Sequence, residues 1–193
     1  MFINYDELFV QPYISLKGRT RFTVLVNKRE VGTITELKTK KWNLIYLFNL
    51  YFDLSKFYSF DYVVKGENDN IIGYIRKAGG FFKKRDIYVF DKNKELIATF
   101  KWNFKLTKLH LTMYKNNEPI WKINSGTMEM DYPLVDAKTE QPITIIRKRS
   151  PIYETVQENL KKGVDGFYIK TTESEEENFL RIATCIVLDF LLS

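Results

Sequence analysis

Along most of this 193-residue chain, apolar and polar positions alternate in short runs separated by polar turns. In KLHLTMY, Leu109, Leu111 and Met113 fall on one face and His110, Thr112 and Tyr114 on the other. That period of two marks a half-buried strand. The runs come in pairs. An apolar strand end, a turn of Asn, Lys or Asp and a second strand recur as VNKREVGTI (26–34), KGENDNIIGYI (65–75), FDKNKELIATF (90–100), YKNNEPIWKI (114–123) and VDAKTEQPITII (135–146). Aligned on the turn, Gly32, Gly73, Ala98, Trp121 and Thr144 correspond, at separations of 41, 25, 23 and 23 residues. A period with turn chemistry at its centre predicts a meander of β-hairpins. About twelve strand-like runs lie between Tyr13 and Thr171, and so even an antiparallel series predicts a closed barrel, because closure removes exposed edges.

Two stretches break the hairpin rhythm. The longer first separation contains an aromatic-rich insertion, KKWNLIYLFNLYFDLSKFYSF, from Lys40 to Phe60. Leu44, Leu47, Tyr51 and Leu54 fit helical spacing, so residues 40–57 are expected to form a short helix packed on the barrel. A second short helix is expected over 151–162. Ser150 suits its cap, Pro151 its first turn, and Ile152, Val156 and Leu160 line one side before Gly163 ends it.

The chain closes on SEEENFLRIATCIVLDFLLS. Ser174 and Glu177 have capping-box spacing, and the acids around them favour a helix N-terminus, so a helix is predicted over 175–192. Its apolar run of about 14 residues is short of the roughly 20 that span a bilayer. A helix apolar on all sides is a buried helix. It is about 10–12 Å across with its side chains, too wide for an eight-stranded barrel that its own side chains fill. A barrel of about twelve strands can enclose it. The expectation is one domain over 1–193: mainly β, a closed antiparallel barrel of about twelve strands around a buried C-terminal hydrophobic helix, with one or two short extra helices.

Composition narrows the function classes. Apolar residues make up 45% and aromatics 16% of the chain, as in a folded core, and the net charge is +6. Four acids cluster at Glu173, Glu175, Glu176 and Glu177, so the remaining surface is more basic than the total suggests. An anionic partner is compatible with this balance. Cys185 is the lone cysteine, and the N-terminus lacks a basic-then-apolar leader pattern. Both point to a reducing, cytoplasmic setting.

Catalytic signals are sparse. His110, the lone histidine, lies on the polar side of a strand, and one His with one Cys gives no zinc ligand set. KAGGFF is not a phosphate loop, and a thiol within an apolar helix is inert. Asp189 is the most informative polar residue of the terminal helix. It is expected near a barrel mouth, satisfied by strand-end amides or open to a ligand. Arg181 is expected to reach the opposite mouth and remain solvated. No enzyme, metal or cofactor is expected.

The hairpin RKAGGFFKKRD sets Arg76, Lys77, Lys83, Lys84 and Arg85 around a glycine turn with Phe81 and Phe82 at its tip. Cations beside aromatic rings suit an anionic lipid surface, where each cation contributes on the order of 1 kcal/mol. Arg147, Lys148 and Arg149 form a second cluster, and Lys38, Lys40 and Lys41 precede the insertion.

The hairpin FDKNKELIATF, the strand DGFYIKTTE and the closing FLRIATCIVLDFL resemble the tubby C-terminal-like superfamily, which includes the LURP-one-related proteins and the phospholipid scramblases. Ile186, Val187, Leu188 and Asp189 resemble the apolar-then-aspartate ending of that family's central helix. The likeness covers residues 20 to 192, and the insertion at 40–57 departs from the compact family layout. It implies a barrel threaded by its own C-terminus, and a surface that engages phospholipid head groups through Lys and Arg. The scramblases' metal-binding segment has no acidic counterpart in this chain. The expectation is therefore a non-enzymatic module that binds anionic phospholipids peripherally through Arg76, Lys77, Phe81, Phe82, Lys83, Lys84 and Arg85. The alternative is a scaffold that meets a protein partner or a second copy through 40–57. No nucleic-acid module accompanies the charge.

Overall fold

The computed structural model of the protein describes residues 2–13, 20–37, 59–78, 86–105, 107–149 and 166–192. Twelve strands form one closed antiparallel barrel. They are β1 (Glu7–Pro12), β2 (Thr20–Val26), β3 (Arg29–Glu36), β4 (Phe60–Gly66), β5 (Ile71–Lys77) and β6 (Ile87–Asp91). The circuit continues with β7 (Leu96–Lys105), β8 (Lys108–Lys115), β9 (Glu118–Gly126), β10 (Asp131–Asp136), β11 (Pro142–Arg149) and β12 (Gly166–Lys170). Neighbours in sequence are neighbours in the sheet, and β1 closes the circuit against β12. The first strand starts before Tyr13, where the alternation was expected to begin. ELFVQP holds only two inward residues, Leu8 and Val10, before Pro12 ends it.

The five sequence copies are five hairpins: β2–β3, β4–β5, β6–β7, β8–β9 and β10–β11. Each carries the same irregularity. The aligned residues Gly32, Gly73, Ala98, Trp121 and Thr144 pair with Val24, Val64, Val89, Met113 and Leu134. The register then skips one residue in every copy: Val31, Ile72, Ile97, Ile120 or Ile143. A bulge bends the strand and adds twist, and five of them at one level around the wall help it curve shut. The turns follow the same logic. Asn27 and Lys28 have φ of 48° and 67°, and Asn116 and Asn117 have 51° and 65°. These are the left-handed positions that two-residue hairpin loops require and that Asn tolerates.

The helix α1 (Glu175–Leu192) runs inside this wall. Ser174 caps it as its spacing predicts, with Oγ accepting from the Glu177 amide at 3.2 Å. Every residue from Asn178 to Leu188 is buried. Their partners are the inward residues of the strands, among them Val10, Ile34, Ile75, Val89, Phe100, Leu111, Ile123 and Ile146, in one continuous core. No helix among the described residues is long and apolar enough to cross a membrane.

Strand direction sorts the connections to two ends. The five hairpin turns surround the N-terminus of α1, where residues 2–6 also lie. There Asn178 donates to the carbonyl of Phe2 at 3.2 Å, and Phe2 is itself buried. The remaining connections leave from the end where α1 finishes, at Phe190 against Phe60. A short 3-10 turn spans Glu67–Asp69. The helices expected over 40–57 and 151–162 lie outside the described residues.

Candidate functional site

Because α1 fills the barrel, the chemistry available to a partner lies on the wall's exterior and at its two ends. At the hairpin-turn end, carboxylates gather. Asp6 and Glu7 begin the chain's entry into β1, and Glu173, Glu175, Glu176 and Glu177 open α1. Among the described residues Lys115 pairs with Glu176, and Arg181 with Glu177 at 2.6 Å. Elsewhere on this end the turns pair opposite charges, as Lys138 does with Glu118 at 2.6 Å and Lys65 with Asp69 at 3.1 Å.

The opposite end interleaves cations with carboxylates. Arg21 and Arg76 lie there with carboxylate partners, Glu36 at 2.5 Å and Asp61 at 3.0 Å. Arg149 pairs with Asp131 at 3.2 Å. Lys105 and Lys108 end β7 and begin β8, and they stand directly opposite each other in the register. Like charges so placed repel. Both are exposed, and neither is ion-paired among the described residues.

Beside these lysines the wall is incomplete. β9 and β10 pair only through Lys122–Val135 and Trp121–Asp136, so the strands part toward this end. Glu129 closes the gap: its carboxylate accepts the Ser125 hydroxyl and, at 2.8 Å, the amide of Gly126. Those bonds, the Ser125 hydroxyl first, hold the Glu129 carboxyl below the usual carboxylate range. The turn also ties to its neighbours, with Thr127 N donating to Thr107 O at 3.0 Å and Lys148 N to Met130 O at 2.7 Å. Glu129 stays exposed, and so do the methionines on either side of it. Met128 is 95% exposed and Met130 40%.

The residues anticipated from the sequence fare differently. Arg76 faces out, its guanidinium 5.6 Å from the Phe90 ring centroid. Lys77, one residue on, points into the barrel and is 2% exposed, with Nζ 5.2 Å from the Phe190 ring. Strand alternation explains the split, and it places a positive charge near the last turn of α1, which has no basic residue of its own. Lys77 therefore offers no ammonium to the exterior. Phe81, Phe82, Lys83, Lys84 and Arg85 lie outside the described residues, as do Lys38, Lys40 and Lys41. Arg147 is outward on β11, across from Asp131, while Lys148 follows the inward register of Ile146.

Arg181 overturns its expectation. It is buried rather than solvated, because Nη1 donates to Lys170 O at 2.7 Å and Nη2 to Glu177. Asp189 does lie at a mouth, half-buried on the last turn. Burial, and then the Asp189 charge, push the Cys185 thiol up, so it stays protonated and inert. His110 is on the outer wall with Nδ1 2.8 Å from Asn124 Oδ1. No group of His, Cys, Asp and Glu with metal-ligand geometry occurs among the described residues. Sequence reasoning passed over Lys105, Lys108 and Met128. The signals were present as KLTK across a turn and as SGTMEMD, two methionines around a carboxylate in an otherwise polar loop.

No family model matches this chain, and no curated protein matches it. Among solved structures, the X-ray structure of an Arabidopsis thaliana protein, AT5G01750, superposes with a TM-score of 0.57 at 10% identity. The match covers 98% of this chain and 93% of that one. The two share a fold.

Proposed function

We propose that the protein is a non-enzymatic module of the tubby-like fold that docks peripherally on anionic phospholipid surfaces. The observation that carries this reading is the charge polarity of a filled barrel. Its interior is occupied by α1, its hairpin-turn end gathers carboxylates, and its other end presents cations with exposed apolar side chains between them. A negatively charged plane attracts one end and repels the other, so it orients the molecule as well as holding it. The likeness of the closing FLRIATCIVLDFL to the tubby central helix supports the same reading. Arg76 belongs to the basic end, and Phe81, Phe82, Lys83, Lys84 and Arg85 follow it in the sequence.

Co-sedimentation with vesicles tests the proposal. Binding to phosphatidylserine-containing vesicles is expected at low salt, with loss as salt rises, because screening shortens the reach of the attraction. Equal binding to phosphatidylcholine vesicles, or none to either, sinks it.

A further inference from the structure

The lipid reading does not say which part of the basic end enters the membrane. We infer that the β9–β10 turn is a preformed insertion tip: Met128 and Met130 enter the interfacial layer of an anionic bilayer while Lys105, Lys108 and Arg147 contact its phosphates. This rests on the proposed membrane function and deepens it.

Three independent features converge on this tip. The first is exposure without excuse. Met128 is 95% exposed, the largest exposure among the large apolar side chains of the described residues. A flexible, unbranched thioether suits a heterogeneous apolar environment. The second is rigidity. The turn is not a slack loop, since Glu129, Thr127 and Met130 each anchor it to the wall. An apolar group held out in water by a fixed turn loses little further freedom on binding. The third is the lysine pair. Lys105 and Lys108 confront each other in register, and the β8–β9 pairing of Lys108 with Gly126 puts them next to the turn. The Glu129 carboxylate acts on Lys108 from one side, and an anion set between the two lysines relieves the repulsion that remains. Arg147 flanks the tip on the other side, across from Asp131.

The geometry favours a surface over a soluble anion. The lysines stand on the exterior rather than around a pocket, and the methionines between the cations add nothing to the capture of a small phosphate. A bilayer supplies both chemistries at one plane, acyl interface for the methionines and head-group phosphate for the cations.

Cysteine labelling tests this directly. Cys185 is fully buried, so Met128→Cys supplies the accessible thiol among the described residues for an environment-sensitive fluorophore. Lys92→Cys, on the β6–β7 turn at the other end, is the matched control. With phosphatidylserine-containing vesicles, the label at 128 is expected to brighten and shift to the blue, and the label at 92 to stay unchanged. Met128→Asp is expected to weaken vesicle binding at least fivefold. Lys105→Ala with Lys108→Ala is expected to weaken it roughly 25-fold, about fivefold per cation removed. All of these sites are exposed, and unchanged thermal unfolding shows that the variants fold.

If the parent protein binds anionic vesicles but the label at 128 does not respond, the insertion tip is wrong and the membrane function stands. Undiminished binding by the double lysine variant has the same meaning. If the parent binds no vesicle, both fail. Capture of duplex DNA through Lys105 and Lys108, without vesicle binding, replaces both with nucleic-acid recognition.

Discussion

The ring of Phe179 on the central helix packs against the wall at Gly73. A Cβ added at Gly73 would meet Cε1 of that ring at 2.5 Å and Cζ at 2.6 Å, and would collide with the Phe90 carbonyl as well. The helix thus packs a ring against the sheet where one hairpin copy lacks a side chain. The next copy has Ala98 at the same position, so the repeat tolerates a methyl group elsewhere around the barrel. Gly73→Ala is expected to cost about 1–3 kcal/mol by overpacking, read as a lower midpoint in denaturant unfolding. Adding Phe179→Leu should not restore it, because the carbonyl contact remains. Full restoration by the second change would show that the ring alone sets the fit.

Asn178 fastens the N-terminal end of the helix to three backbone groups on two segments of chain. Its Oδ1 accepts from Thr172 N at 2.7 Å, and its Nδ2 donates to Thr172 O at 2.8 Å and to Phe2 O. The residue is wholly buried. Asn178→Ala leaves those backbone groups without partners and is expected to cost about 2–4 kcal/mol. Hydrogen exchange should report faster opening of residues 2–6, which this side chain helps to hold over the mouth. A variant with unchanged exchange there would mean that Phe2 packing alone keeps the segment in place.

Removing the helix tests what the apolar C-terminal run is for. A chain ending at Ser174 loses all the buried residues of α1 and leaves the inward faces of twelve strands without a partner. It is expected to lose cooperative unfolding and to bind a hydrophobic dye. A truncated chain that still melted cooperatively, but no longer met vesicles, would make the run an anchor instead of a core.

The barrel and its helix were legible because both are written in periodic burial. Leu109, Leu111 and Met113 recur at two, and Ile182 to Leu188 leave no polar face. The five bulges were legible only as the constant alignment of Gly32, Gly73, Ala98, Trp121 and Thr144. Their cause, one unpaired aliphatic residue per hairpin, needs the register. Charge was the poorest guide. Lys77 and Arg181 look like surface cations, yet one is turned inward by alternation and the other is drawn in by Lys170 O and Glu177. Lys105 and Lys108 are ordinary in sequence, and only pairing across β7–β8 makes them a confronted pair.

Tyr132 gives a prediction with a defined pH window. It is fully buried at the start of β10, and its hydroxyl has no hydrogen-bond partner among the described residues. Burial, reinforced by the Glu129 charge, pushes its phenol up to about 12, against about 10 in an unfolded chain. Between those values the unfolded state releases a proton that the folded state keeps. Its contribution to stability is therefore full below pH 10 and declines as pH rises toward 12. Tyr132→Phe removes both the titration and an unpartnered buried hydroxyl. At neutral pH the variant is expected to be unchanged or more stable by up to about 1 kcal/mol. Above pH 10 its stability should fall less steeply than the parent's, though Tyr62, also raised by burial, keeps the slope from vanishing. Denaturant melts at pH 7, 10 and 11 make the comparison. A variant that loses stability at pH 7 would reveal a hydrogen bond from the Tyr132 hydroxyl, and parallel slopes above pH 10 would show that this phenol titrates like an exposed one.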